Sequence, residues 1–481
     1  MKQTTKSLLT VLGLVVVAGA IGGAALWAGR DAEKQAGQKE TTGKIFDFEN
    51  TQVRSLRVEN PAGTLVAALE RKDERAGWDI TEPVKAEADD VTANAVVNAL
   101  ALLKQKKDLG QEKDGKPYGL DAPVAAVSVK TVDGKEARLE IGADNPFDKT
   151  AFVRKGGDPT IRTVEASAKE SFLRDLFQLR DKSIAHLETT ADVRRIEVSG
   201  TRVSYTLEKD GAAWKLASPA GVADSALADG IAGSLKSLRA TDIAAETAPV
   251  PAVYGLAPAK VTVKLSAAQA DSKEALTRTL HFGVGRDGST YAMRDGTPAV
   301  FQVDGQILKD LDKDLFDLQD KQLTHVARDD VRKIVLESPG AGKVEIAREK
   351  SVPADGGTAD ESFSLLSPQR GPAKKFRVSG ALYTIAGLRA AVWGPKNLPR
   401  QGFDKPRSVT LLGEGDKVLF RMLAGAETPE HRRYVLVDGM DRVAQVEKGA
   451  VDGLPWKVED VLDDPAPPVA SLPDGGVAAA H

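Results

Sequence analysis

Hydrophobic and polar residues alternate along several short stretches of the chain. Residues 54–58 and 64–69 show this alternation, and it continues through Trp78 and Ile80 as far as Pro83. Successive side chains of a strand point to opposite faces, so the pattern predicts half-buried β-strands. Proline lacks the N–H group that a strand ladder uses, and we expect the third strand to end at Pro83.

A helical period follows these strands. Val96, Val97, Leu100 and Leu103 lie on one face of a helix that Asp90 can cap. The rest of the unit is predicted as a hairpin, two short strands and a closing helix, at 124–129 with 137–141, at 152–154 and 161–164, and near 168–179. The predicted fold class is therefore α+β, rich in antiparallel strands.

Three landmarks of this unit return later in the same order: a Trp-to-Pro segment, a Tyr-Gly-Leu turn and a closing Asp-Lys pair. They begin at Trp78, Tyr118 and Asp181 in the first copy and at Trp214, Tyr254 and Asp320 in the second. A third copy keeps Phe363 before Pro368 and a remnant of the turn at 402–406. Self-similarity at a fixed period indicates repeats. We predict about three tandem repeat units, at 45–188, 189–327 and, in diverged form, 328–462.

The N-terminal segment has a different character. Lys2 and Lys6 precede an uncharged stretch, 8–28, which is long enough to cross a bilayer. Positive charge on its N-terminal side predicts that this end lies inside. We predict a cytoplasmic N-terminus at 1–7, a transmembrane helix (a signal anchor) at 8–28 and a linker at 29–44. The protein would then be a single-pass protein of the inner membrane with its body in the periplasm.

A cleaved signal peptide is the alternative for this segment, because Ala18-Gly19-Ala20 resembles a cleavage site. The body is exported in both interpretations. At the other end, 463–481 is rich in proline, glycine and alanine, and we predict a disordered tail.

Composition and charge exclude several function classes. Lys and Arg number 66 against 69 Asp and Glu, and only 5% of residues are aromatic, so we expect no nucleic-acid partner. The chain has no cysteine, which excludes thiol nucleophiles, iron–sulfur sites and cysteine-based zinc sites.

Motifs that resemble ligand sites each lack an essential part. Gly283 to Gly288 fits G-x-G-x-x-G, but a strand-like sequence follows where a dinucleotide site needs a helix. Val344 follows Lys343 where a phosphate loop needs Ser or Thr. Leu315 replaces the glycine that a calcium loop beginning at Asp310 would need. We predict no small-molecule cofactor and no catalytic, cofactor-binding or metal-ligating residue.

The histidines and aromatic residues have two possible interpretations. His186 and His325 are repeat equivalents, which favours a shared turn or packing role over a metal site. Trp78, Trp214, Tyr118 and Tyr254 could form a ligand-binding set, but their place in each well-preserved copy favours packing. We expect both indoles to be buried.

At the landmarks given above, the sequence resembles a bacterial family known as a domain of unknown function, number 4340. The resemblance covers roughly 45–460, and the third copy departs from it by losing the Trp and the Tyr-Gly-Leu turn. It implies a membrane-anchored protein that accompanies ABC-transporter components of the gliding-motility type, without a recognised catalytic motif.

These features predict a non-enzymatic envelope accessory or scaffolding protein with a protein partner and a membrane contact through its N-terminal helix. A binding module for an envelope polymer, such as peptidoglycan or a polysaccharide, is the alternative. An envelope hydrolase is a third possibility, disfavoured by the absence of motif histidines and cysteines.

Overall fold

A computed structural model describes residues 43–112, 114–247, 250–269, 274–351 and 360–463. The chain divides into two compact units. The first comprises the described residues of Met1–Thr189, Leu235–Thr262 and Arg278–Ile307, and the second those of Thr190–Ser234, Val263–Thr277 and Leu308–His481.

Three nine-stranded antiparallel sheets follow one another along the described chain. The strands of the first sheet, β1 to β9, are Val53–Asn60, Thr64–Glu70, Asp79–Glu82, Ala86–Glu87, Lys107–Gln111, Ala125–Thr131, Glu136–Asp144, Thr150–Lys155 and Thr160–Glu165. Those of the second, β10 to β18, are Asp192–Ser199, Tyr205–Asp210, Ala213–Ser218, Ala220–Val222, Asp242–Ala245, Val261–Ala268, Ala275–Val284, Thr290–Arg294 and Val300–Val303. Those of the third, β19 to β27, are Lys333–Ser338, Gly342–Ser351, Asp360–Ser367, Gly371–Pro372, Val392–Pro395, Arg407–Leu412, Val418–Glu427, Arg432–Val437 and Arg442–Glu447.

The three sheets share one strand order. It reads β4-β3-β2-β1-β6-β7-β8-β9-β5 in the first sheet, and the same pattern recurs with β10–β18 and with β19–β27. In each repeat the chain leaves one edge of the sheet, forms a helix and enters the opposite edge before it returns to the centre. Repetition of this crossover three times shows that the diverged third copy has the fold of the first two.

One helix of 12 or 13 residues recurs in each repeat, accompanied by short helices. The helices α1 to α9 are Asp90–Ala101, Ala166–Lys169, Leu176–Leu179, Ser225–Ser237, Gln306–Leu311, Leu315–Leu318, Lys375–Ala386, Lys448–Asp452 and Val458–Val461. The long helices α1, α4 and α7 occupy equivalent positions. In the first repeat, Val96, Val97 and Leu100 of α1 share a buried core with strand residues such as Leu56 and Leu69.

The predicted α+β class is wrong, because the fold is mainly β. Each repeat has nine strands and, among the described residues, only one helix longer than six residues. The helical period is strong at α1, whereas short edge strands leave little sign in the sequence. All five residues of β5 are exposed, so no alternation of apolar and polar residues marks that strand.

The prediction of a membrane anchor is also corrected. Segment 8–28, for which it was made, lies outside the described residues. Within the described ranges, no helix is long and apolar enough to cross a bilayer. The longest, α4, has 13 residues, whereas a span requires about 20. The structure therefore does not support a transmembrane helix or signal anchor, or a membrane contact through it. It also does not support a single-pass location in the inner membrane with the body in the periplasm. The tail predicted at 463–481 falls almost wholly outside the described residues.

Candidate functional site at the repeat junctions

A turn built around an aspartate closes each of the first two repeats. Oδ1 of Asp181 accepts the N–H of Ser183 at 3.0 Å, and Oδ2 lies 2.7 Å from Nδ1 of His186. Asp320 repeats this arrangement with the N–H of Gln322 and the ring of His325, at 3.0 and 2.7 Å. The two histidines therefore share a turn role, and we call residues 179–186 and 318–325 the first and second junction segments.

Main-chain hydrogen bonds fasten the first junction segment on both sides. Asp181 N–H donates to the carbonyl of Glu87, at the end of β4, at 2.9 Å. Ile184 N–H donates to the carbonyl of Leu238, just after α4, at 3.0 Å. The second junction segment makes the same bonds, from Asp320 to Val222 and from Leu323 to Leu388. Each segment thus ties a completed repeat to the long helix of the repeat that follows it.

The first junction carries a network of charges. Oε2 of Glu87 lies 3.2 Å from Nδ1 of His186 and accepts a hydrogen bond from Nη2 of Arg294 at 3.0 Å. Beside them, Arg180 is paired with Glu246. Glu87, Arg180, Glu246 and Arg294 line a cavity of about 200 Å³ within the first compact unit. Arg294 is only 8% exposed, and its Nη1 atom has no hydrogen-bond partner among the described residues.

The charges of this network support one another. The hydrogen bond to Asp181, reinforced by the nearby Glu87 carboxylate, raises the pKa of His186 against the effect of burial. Burial alone would raise the pKa of Asp181, but the hydrogen bonds from His186 and Ser183 outweigh it and lower that pKa. Both shifts favour an imidazolium held between two carboxylates.

Glu87, Asp181 and His186 also have the composition of a metal site. One ligand atom from each lies within 4.8 Å of the other two. However, Arg294 donates a hydrogen bond to Oε2 of Glu87, and a guanidinium beside a dication is unfavourable. The donor set therefore fits a protonated histidine better than a metal ion. That the chain has no metal-ligating or catalytic residue stays a prediction.

The second junction keeps the turn but lacks counterparts of Glu87 and Arg180. Val222 occupies the place of Glu87, and Gln319 that of Arg180. The guanidinium of Arg442 stacks 3.8 Å from the ring of Trp393 and donates to Gln319 at 2.8 Å. The junctions share the turn with its aspartate–histidine contact, whereas the pairs of Glu87 with Arg294 and of Arg180 with Glu246 belong to the first junction.

Sequence reasoning missed this cluster because its members are far apart in the chain. Glu87 and Arg294 contact each other across 207 residues. The Asp-Lys pair was found as a repeat landmark, but nothing in its spacing reveals the bond from Asp181 to His186. Recurrence of a histidine five residues after each aspartate, at His186 and His325, was the one available signal.

The ligand-like motifs lie in structural elements. Gly283 is within β16, and the hairpin to β17 follows it instead of a helix. Gly342 begins β20 in the hairpin that leads from β19. Asp314 caps α6 by accepting a hydrogen bond from the N–H of Asp317 at 2.8 Å, and Asp312 forms an ion pair with Arg202. The structure thus brings none of these motifs together into a ligand site.

The two repeated tryptophans are buried, as predicted. Trp78 is 2% and Trp214 3% exposed. Their indole N–H groups donate to Asn94 at 3.1 Å and to Asp229 at 2.7 Å, both on the long helix of their own repeat. The tyrosine of each Tyr-Gly-Leu turn packs edge-on against another ring, as Tyr254 does against Tyr291 at 5.0 Å. These aromatic residues join strands to helices and do not form an exposed platform.

Comparison with known proteins places the chain in a family. No characterised protein and no solved structure shows a significant match to it. The sequence profile described as Domain of unknown function (DUF4340) matches twice, at residues 78–249 and 214–362, which together span more than half of the chain. Both junction segments lie within these matches. The chain belongs to the family described as Domain of unknown function (DUF4340) and carries it in overlapping tandem copies.

Proposed function

We propose that this chain is a non-enzymatic scaffolding protein whose repeats present binding surfaces to a protein partner. The observation that supports this most is the repeated junction turn. At both junctions the aspartate and the histidine, the residue types best suited to acid–base chemistry, are bound to each other while the same segment holds two repeats together.

The first junction lacks the contact that a nucleophile needs. The hydroxyl of Ser183 accepts the main-chain N–H of His186 at 3.1 Å and is therefore part of the turn. A serine nucleophile would instead donate its proton to the imidazole. Glu87 is likewise engaged, by Arg294. This arrangement favours a structural role for the cluster over a hydrolytic one.

The burial of the indoles bears on the polymer-binding alternative. Trp78, Trp214 and Trp456 are all buried, so none of these indoles offers a face on which a sugar could stack. A protein partner is therefore the better candidate. The resemblance to proteins that accompany ABC-transporter components of the gliding-motility type leads us to propose such a component as that partner.

Co-purification tests this proposal. The full-length chain is produced together with the ATPase and permease subunits of an ABC-type transport complex from its own source, and is purified through a tag. We expect the subunits to co-elute with the chain at a fixed stoichiometry. We expect no turnover of ester, amide or glycosidic substrates. Separate elution, or a hydrolytic activity that His186→Gln abolishes, would contradict the proposal.

A further inference from the structure

The long helix of the third repeat exposes two aromatic rings. Phe376 is 93% and Tyr383 65% exposed. They are seven residues apart and therefore lie two turns apart on the same face of α7. Gly380 lies between them and Gly387 follows, and both glycines are exposed. We call Phe376, Gly380, Tyr383 and Gly387 the α7 ridge.

The earlier repeats lack this aromatic pair. Just before each long helix, an alanine forms an isolated β-bridge to the segment that closes the repeat; these residues are Ala88, Ala223 and Ala373. The three equivalent bridges give the residue-by-residue alignment of α1, α4 and α7. Phe376 then corresponds to Val91 and Ala226, and Tyr383 to Asn98 and Gly233. The opposite face of α7, with Val378, Leu382 and Ile385, is buried as in the other repeats. Core packing therefore accounts for the inner face of α7 and leaves the ridge unexplained.

The charge at the start of the helix is also reversed. Asp89 and Asp224 precede α1 and α4, whereas Lys374 precedes α7 and makes no side-chain cap. Lys375 and Arg377 follow, and no acidic residue occurs from 374 to 390. Cations at a helix N-terminus oppose the helix dipole. Both the exposed rings and the cations are locally unfavourable, a combination that is typical of functional surfaces.

Asp89 and Asp224 each bind an arginine of the next repeat, Arg239 or Arg389. Lys374 takes the place of this aspartate in the third repeat, so the repeat lacks this link. The loss of the link does not account for the two exposed rings.

We propose that the α7 ridge binds an acidic amphipathic helix of a partner protein. The apolar side of that helix would cover Phe376 and Tyr383, and its carboxylates would face Arg377. Gly380 allows close approach of a second backbone between the two rings. Arg328 stacks 3.7 Å from the ring of Tyr383, which holds the ring in place and adds a further cation. This proposal rests on the proposed function and specifies where the scaffold binds and what it recognises.

Two synthetic helical peptides of about 20 residues test the proposal. They share one leucine-rich face, and the polar face is glutamate in one and lysine in the other. Binding to the full-length chain is followed by fluorescence anisotropy. We expect the glutamate peptide to bind at least about ten-fold more tightly than the lysine peptide, and salt to weaken it.

The double variant Phe376→Ala/Tyr383→Asn carries residues found at the equivalent helix positions of the other repeats. It should keep the thermal stability of the wild type and lose about ten-fold or more in affinity for the glutamate peptide. Val91→Ala, which truncates an 81% exposed valine on α1, is the matched control and should leave binding unchanged.

Equal affinity for both peptides, or unchanged binding by the double variant, would overturn the proposal. So would binding to anionic phospholipid vesicles in preference to the glutamate peptide. If the double variant still co-purifies with the transport subunits as well as the wild type, the ridge assignment fails while the scaffolding function stands. If the wild type itself does not co-purify, the proposed function fails.

Discussion

Arg239 of the second repeat donates from Nη2 to Oδ2 of Asp89, the residue that caps α1 of the first repeat, at 3.1 Å. Oδ1 of the same aspartate accepts the N–H of Thr92 at 2.9 Å. One carboxylate thus caps the N-terminus of α1 and also forms an ion pair with the next repeat. The pair formed by Arg389 and Asp224 repeats the link at 2.8 Å.

Replacement of Asp89 should separate these two roles. Asp89→Ala removes both the cap and the ion pair, and we expect it to lower the free energy of unfolding by about 1–2 kcal/mol. Asp89→Asn retains an acceptor for Thr92, and we expect a loss of only about 0.5 kcal/mol, since Arg239 is largely exposed. Urea denaturation followed by circular dichroism measures both. Equal losses for the two variants would show that the cap contributes nothing.

The sequence revealed features that a single stretch of chain determines. Trp78 and Pro83 mark the end of a strand, and the apolar stripe of α1 lies within one helix of 12 residues. The sequence could not reveal pairings that form only when distant segments meet. The link from Arg239 to Asp89 spans 150 residues, and either residue alone is an ordinary surface charge. The mainly β class was missed for a related reason, because strands such as β5 are defined by their neighbour β9 and not by their own pattern.

Truncation of a repeated tryptophan should be costly. Trp78 is buried beneath α1 and donates to Asn94, so Trp78→Ala should cost about 3–5 kcal/mol and lower the amount of soluble protein. Trp78→Phe keeps much of the volume and removes the indole donor, while Oδ1 of Asn94 still accepts a hydrogen bond from Arg71, so it should cost about 1–2 kcal/mol. Thermal unfolding measures both. A melting temperature that Trp78→Ala leaves intact would refute the core assignment.

Gly283 should tolerate no side chain. A Cβ atom there would lie 2.2 Å from the carbonyl oxygen of Gly255, whose own φ of +68° belongs to the tight turn after Tyr254. We expect Gly283→Ala to force strand and turn apart and to cost more than about 2 kcal/mol. Gly288→Ala is the control, because a Cβ there meets no atom within 4 Å.

At Gly288 only the positive φ of +82° is strained, so this control should cost about 1–2 kcal/mol. Both variants are compared by urea denaturation. If Gly288→Ala proves the more destabilising of the two, Gly283 is not required for close packing of β16 against the turn.

The first junction should weaken as pH rises. Because the pKa of His186 is raised in the folded protein, protonation of this residue stabilises the fold. That contribution is fully present below the ordinary histidine pKa of about 6.5 and is lost as pH increases through the raised value. At acidic pH the lowered pKa of Asp181 has the opposite effect, since its contribution is lost as pH falls below about 4.

Matched variants assign this pH dependence to the named groups. Glu87→Gln keeps an acceptor for Arg294 but removes one of the carboxylates that face His186, so the pKa of His186 should fall toward its ordinary value. His186→Gln should remove the loss of stability above pH 6.5 altogether. Two-dimensional NMR of the histidine rings gives the pKa directly, and denaturation at a series of pH values gives the stability. A pKa of His186 below 6.5 in the wild type, or a pH profile that His186→Gln leaves unchanged, would show that the imidazolium between Asp181 and Glu87 does not stabilise the junction.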